Sequence, residues 1–150
     1  MISEKYDFTG SDEGTYFEFI SNGPKGNIIK AVQFILVDSI EKIYSLGLGD
    51  RDPITNQIDD EVVTDNKDTR KVLATIAEIG RQFLESKPNA KIVFEGNTES
   101  KNRLYRMGIN SVLDELNTKY SIFGFREQNL TWERFNKKSD YIAFTISKIK

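Results

Sequence analysis

A chain of 150 residues with a formal charge of −2 is long enough for one hydrophobic core, and it has no overall attraction to nucleic acid or anionic membrane. It contains neither histidine nor cysteine, which excludes imidazole acid–base catalysis, Ser-His-Asp and Cys-His nucleophiles, Cys/His zinc sites and disulfides. Any chemistry must use Asp, Glu, Lys, Tyr, Ser, Thr or a bound metal, and 38% apolar with 11% aromatic residues is enough to fold.

In chain order, Tyr6 to Phe8 reads as a short edge strand before the polar turn GSDEG. Tyr16 to Ile20 (YFEFI) is an aromatic-rich strand. Ser21 to Asn27 (SNGPKGN) is a connecting turn, because two Gly and a Pro do not continue a strand interior. Ile28 to Val37 follows as a long strand pairing back on the previous one. Ile28, Val32, Phe34 and Leu36 share one face, with Ile29, Ala31, Ile35 and Val37 on the other. Apolar residues on both faces predict a central strand covered on both sides. Ile43 to Leu48 and Ile58 to Val63 complete an antiparallel meander.

The period then changes. Val72, Leu73, Ile76, Ile79 and Phe83 recur at helical spacing, which predicts a helix over 68–86, capped by Asn66 or Asp68 and stopped by Pro88. Ile92 to Glu95 is the next strand. It breaks at Gly96 into a polar turn, from which a short helix runs to about Met107, capped by Asn97 or Thr98 and ended by Gly108. Ser111 opens an S-x-x-D capping box for a second short helix through Leu116. Tyr120 to Arg126, Thr131 to Phe135 and Tyr141 to Ile149 are strand-like. The expected fold is a single α+β domain over 1–150: a mainly antiparallel twisted sheet carrying one long helix and one or two short ones.

Four stretches are candidates for function. A strand feeding a helix through Gly, Asn, Thr and Ser can hold an anion on free backbone N–H groups. The expected ligand-binding residues are therefore Gly96, Asn97, Thr98, Ser100, Arg103 and Arg106, with Lys101 turned away from the two arginines. Asp50, Asp52 and Glu61 fall at positions 1, 3 and 12 of a calcium loop, but Ile54 and Thr55 stand where an oxygen ligand and a Gly are needed. No metal is expected there. The Gly-rich turn around Lys25 is followed by a strand rather than the helix a phosphate cradle uses. Near the C-terminus Phe123, Phe125, Trp132, Phe135 and Tyr141 alternate with Arg126, Arg134, Lys137 and Lys138. Such a mixture can stack single-stranded bases, but it is more often a core face opposite solvated charges, so nucleic acid is not the expected partner.

Two resemblances follow from quoted residues. GPKG at 23–26, GLGD at 47–50, IDDEVVTDN at 58–66, KVLATIAEI at 71–79 and RLYRMGI at 103–109 resemble a family of uncharacterised bacterial proteins known only as a domain of unknown function. That resemblance spans nearly the whole chain and implies a small cytoplasmic α+β protein with no established activity. The order strand, helix, strand, then N…RLY..GI is similar to the second half of GNAT acetyltransferases. It implies Tyr105 as general acid, Asn97 at the family's Asn position, and residues 65–70 as the loop holding the pyrophosphate of acetyl-CoA. That loop has no Gly and two carboxylates, RLYRMGI is one residue short between Tyr and Gly, and the family's first two helices are missing. No cofactor is therefore expected.

The function expected from these features is a non-enzymatic binding or regulatory module, engaging a protein partner or a small phosphate-bearing ligand. A divergent acyltransferase using Tyr105 and a metal-dependent nuclease using Asp50, Asp52, Asp59 or Asp60 are the alternatives. No run of apolar residues spans a bilayer and the N-terminus lacks a signal-peptide core, so the expected place is the cytoplasm. Pairing with a second copy is left open.

Overall fold

The computed structural model describes residues 4–60 and 64–149. Among them the strands are β1 (Phe8–Gly10), β2 (Tyr16–Gly23), β3 (Gly26–Asp38), β4 (Ile43–Arg51), β5 (Ile58–Asp59), β6 (Lys91–Phe94), β7 (Tyr120–Arg126), β8 (Thr131–Arg134) and β9 (Ala143–Lys148). The helices are α1 (Thr69–Ser86) and α2 (Glu99–Leu116). The strand expected at 58–63 is seen as β5, and its residues 61–63 lie outside the described residues.

The strands form one sheet in the order β1-β2-β3-β4-β6-β9-β7-β8, with β5 beside β4. The first half is the antiparallel meander that the alternating sequence predicts. β4 and β6 pair in parallel, Tyr44 opposite Ile92, and the crossover that parallel pairing demands is supplied by α1. α2 then carries the chain past one strand position, which β9 fills antiparallel to both β6 and β7. The α+β class holds: a mostly antiparallel open sheet with two helices.

Both helices lie on one face of the sheet. The Phe34 ring stacks on Phe83 of α1 at 4.0 Å, and Phe94 meets Tyr105 of α2 at 5.0 Å. Phe34 and Phe94 belong to the same side of the sheet, linked through the pairs Phe34–Leu46, Tyr44–Ile92 and Phe94–Phe144. The core sits between this face and the helices. The expectation that β3 is covered on both sides is therefore corrected. Its Val32 and Phe34 are buried, whereas Ile35 and Val37 on the opposite face are 55% and 58% exposed, because neither crossover helix passes over that side.

Three local expectations also change. The two short helices expected over 98–107 and 111–116 are one 18-residue helix, α2. Gly108 does not end a helix but sits inside it, where a Cβ would lie 3.1 Å from Leu73 Cδ2; glycine lets α2 approach α1. Ser111 starts no new helix either, and its hydroxyl donates to Gly108 O at 2.7 Å within α2. The turn expected over 21–27 shrinks to Pro24 and Lys25, since Gly23 and Gly26 still pair. A Cβ on Gly23 would overlap the backbone oxygen of Asn66, so the close approach of residue 66 demands glycine there. Finally, neither Asn66 nor Asp68 caps α1 through its side chain. Asp68 occupies the N-cap position, but its Oδ2 accepts hydroxyls from Tyr6 and Ser21, both at 2.5 Å.

Candidate functional site

The bend from β6 into α2 is present, and Thr98 caps α2 as expected by accepting from Lys101 N at 3.1 Å. Gly96 N donates to Asn102 Oδ1 at 2.7 Å. Two of the amides that this turn offers are thus closed by α2 itself. Arg106 turns inward, donating to Tyr141 O at 3.3 Å and lying 3.4 Å from Glu99 and 3.8 Å from Asp140. Asn97, Ser100 and Arg103 remain on the surface. Of the six expected ligand-binding residues, the fold gathers Gly96 and Thr98 at the cap and leaves both arginines outside it.

Lys101, in the first turn of α2, is only 4% exposed. Its ammonium donates to Leu48 O at 2.5 Å and to Asp60 O. The reason lies in β4: pairing with β6 ends at Ser45 and pairing with β5 begins at Asp50. Between them no strand among the described residues pairs with that edge of β4, and Lys101 serves the Leu48 carbonyl there. Burial pushes the Lys101 pKa down, opposed by the nearby charges of Asp60, Asp50 and Asp59. Lys30 is equally buried and meets Asp50 Oδ1 at 2.7 Å, while Thr64 donates to Asp50 Oδ2 at 2.6 Å.

These groups surround a cavity of about 50 Å³ at the start of α1, also lined by Asp65, Asp68 and Thr69. It has room for ordered water. Its lining carboxylates outnumber its two lysines, so it is not shaped for a phosphate group. Chemically the cluster is a lock that ties β3, β4 and β5 to the entry of α1. Asn66 completes it, accepting from Lys25 N at 2.7 Å and donating to Gly26 O at 2.9 Å.

The acidic residues singled out in the sequence do not converge. Asp50 is held by Lys30 and Thr64, and Asp52 Oδ1 accepts from the amides of Ile54 and Thr55 at 2.8 and 3.2 Å. Among the described residues no three carboxylates gather as a metal-ligand set; Glu61 lies outside those residues. Tyr105 is buried against Phe94 and Phe144, and its hydroxyl has no hydrogen-bond partner among the described residues. Burial, then the charge of Asp60, raises its pKa and keeps the phenol protonated.

The C-terminal aromatics divide between the two sides of the sheet. Phe135 and Tyr141 are core. Tyr141 lies flat over Gly124, where any Cβ would enter its ring. Phe125 and Trp132, paired across β7 and β8 with ring centres 5.3 Å apart, stand on the uncovered face. With Ser45, Val93, Glu95 and Ala143 they line a groove of about 330 Å³. Trp132 is 46% exposed at its rim. Glu95 is exposed and makes no ion pair among the described residues. This groove joins residues from five strands, so nothing in the linear sequence marked it; only the run of exposed aromatics gave a signal.

No described helix is long and apolar enough to cross a membrane. Neither a curated relative nor a solved structure matches the chain. The profile of a family of unknown function, DUF6934, matches residues 2–149. The chain, whose quoted motifs resembled such a family, belongs to DUF6934.

Proposed function

We propose that this protein is a non-enzymatic binding module that engages a protein partner through the groove on the uncovered face of its sheet. The observation that carries the reading is the exposed Trp132, standing with Phe125 in a groove of about 330 Å³ on a face that no helix covers. Large amphipathic aromatics in partly desolvated grooves are the residues on which protein interfaces concentrate their energy. The partner's complementary surface presents an apolar anchor for the space between Val93 and Trp132 and a basic group for Glu95. A phosphate-bearing ligand at the β6–α2 turn is the weaker version, because Asn102 and Thr98 close amides there and Glu99 and Asp140 accompany Arg106.

The test is a photo-crosslinking residue at position 132, with one at Arg103 on the opposite side as control. The purified crosslinked protein should then bind the wild-type chain and lose at least tenfold affinity for Trp132→Ala at unchanged melting temperature. Equal crosslinking from both positions, or binding indifferent to Trp132→Ala, overturns the reading. A second copy of this chain is one identity that the crosslink can reveal.

A second reading, a divergent GNAT-like acyltransferase, is favoured by the parallel β4–β6 pair joined through α1. Against it, residues 65–70 hold the carboxylates of Asp65 and Asp68 where the resemblance calls for a pyrophosphate loop. Calorimetric titration with acetyl-CoA decides it: no binding heat ends this reading.

A further inference from the structure

Among the described residues the sheet ends at β1, which pairs with β2 alone. Antiparallel pairing turns the backbone groups of alternate residues to opposite sides. Ser11 N donates to Tyr16 O, so Ser11 and Thr9 face β2, and the N–H and C=O of Phe8 and Gly10 point away from the sheet. An unpaired edge of this kind is a template for a further strand.

The start of the edge is tied to α1: Tyr6 N donates to Thr75 Oγ1 at 2.9 Å, and Lys5 meets Glu78 at 3.4 Å. Beyond Tyr6 an open groove of about 1050 Å³ runs between β1 and the second half of α1. Its inner wall is aromatic, with Phe8 and Phe17 edge to face and ring centres 6.0 Å apart. Gly10 crosses the Phe17 ring so closely that a Cβ would lie 2.8 Å from Cε2, and no side chain of β1 fills the groove at that point. The charge around the edge is one-sided. Glu4, Asp7, Asp12 and Glu13 are exposed and make no ion pair among the described residues, whereas Lys5 is held by Glu78.

We propose that the edge of β1 takes up a basic, extended segment of a partner protein as an additional antiparallel strand. Two residues of that segment exchange ladder hydrogen bonds with Phe8 and Gly10, and their apolar side chains enter the groove beside Phe17. The residues flanking them carry lysine or arginine. One falls opposite Asp7, and another opposite Ser11, next to Asp12 and Glu13. Main-chain pairing supplies the affinity, and the four unpaired carboxylates select the sign of the partner's charge. The site is separate from the Trp132 groove, because β1 and β8 stand at opposite ends of the sheet.

The test is an NMR titration of the full chain with the acetylated, amidated peptide Lys-Val-Lys-Val-Lys. Saturable movement of the Phe8, Thr9 and Gly10 amides is expected, with slowed hydrogen exchange at Phe8 and Gly10 and no movement of Trp132 Nε1. Methylating both valine nitrogens removes the two ladder donors and should weaken binding at least tenfold. Glu-Val-Glu-Val-Glu should also bind at least tenfold more weakly. Asp7→Lys, at an exposed position, should cost the lysine peptide at least threefold at an unchanged melting temperature. Trp132→Ala should leave the affinity unchanged, so failure here and failure of the partner groove are distinguishable. Shifts that never saturate, or that centre on Glu95 and Trp132, overturn the site. Equal affinity for the methylated peptide overturns strand addition. Equal affinity for the glutamate peptide, or no loss in Asp7→Lys, overturns the charge selection. Phe8 and Gly10 amides that move with protein concentration alone, and that the peptide does not displace, would assign the edge to a second copy of this chain instead.

Discussion

Lys30 and Asp50 stand directly opposite each other across β3 and β4, and the ammonium lies 2.7 Å from the carboxylate with both side chains largely withdrawn from solvent. Removing one partner strands the other charge in the interior. Asp50→Ala is expected to lower stability by about 3–5 kcal/mol in urea denaturation, whereas Lys30→Met with Asp50→Leu should recover most of that loss. A loss below about 1 kcal/mol for Asp50→Ala would mean that the pair is solvated rather than buried.

Two glycines should respond in opposite directions to the same substitution. Gly80→Ala adds a Cβ in open space and removes a poor helix residue, so a gain of about 1 kcal/mol is expected. Gly23→Ala drives a Cβ into the Asn66 backbone oxygen, which no rotamer change relieves. It should displace residues 64–68 and cost at least about 2 kcal/mol, with the amide signals of Lys25 and Asn66 shifted. Similar stabilities for the two variants would remove the argument that residue 66 is wedged against the β2–β3 turn.

What the sequence made legible were the features written in local period. The alternation from Tyr16 to Val37 gave the hairpin, and Val72, Leu73, Ile76, Ile79 and Phe83 gave α1 within one residue of its start. What it hid were relations between distant segments. Parallel pairing of β4 with β6 leaves no local mark, so the uncovered face that bears Trp132 was invisible. Gly108 was misread because glycine suits both a helix end and a helix crossing, and only the position of Leu73 distinguishes them. Lys101 in a first helical turn looks solvated; its burial goes with the carbonyls of Leu48 and Asp60 that its ammonium serves, two residues far from it in sequence.

Alkaline pH should weaken the fold through two phenols. Burial first, then the carboxylate each is bonded to, pushes Tyr16 and Tyr120 up to about 12, with Glu18 at 2.6 Å and Glu85 at 2.7 Å. In the unfolded chain a tyrosine loses its proton near 10. The folded pKa is the higher one, so this contribution is complete below about pH 10 and is lost as pH rises through about 12. Lys101 has the opposite sign, since its depressed pKa adds stability as pH climbs toward about 10.4. The decline should therefore steepen above that value. Thermal melts across this range should fall less steeply for Tyr16→Phe with Tyr120→Phe than for the wild type, and equal slopes would assign the decline elsewhere.

Neighbouring residues on β3 report which face of the sheet the chain itself covers. Phe34 is buried and stacked on Phe83 at 4.0 Å, while Ile35 is 55% exposed on the other side. Phe34→Ala should cost about 3–5 kcal/mol, through lost transfer energy and the cavity left against α1. Ile35→Thr should stay within about 0.5 kcal/mol, because in the isolated chain the side chain gives up little on being shortened and made polar. If copies of the chain cover this face, the wild type will become more stable as its concentration rises and Ile35→Thr will suppress that rise, since association adds stability only by mass action. A concentration-independent loss above about 1 kcal/mol for Ile35→Thr would mean that the chain buries this face itself, and the Trp132 groove would then have no open approach.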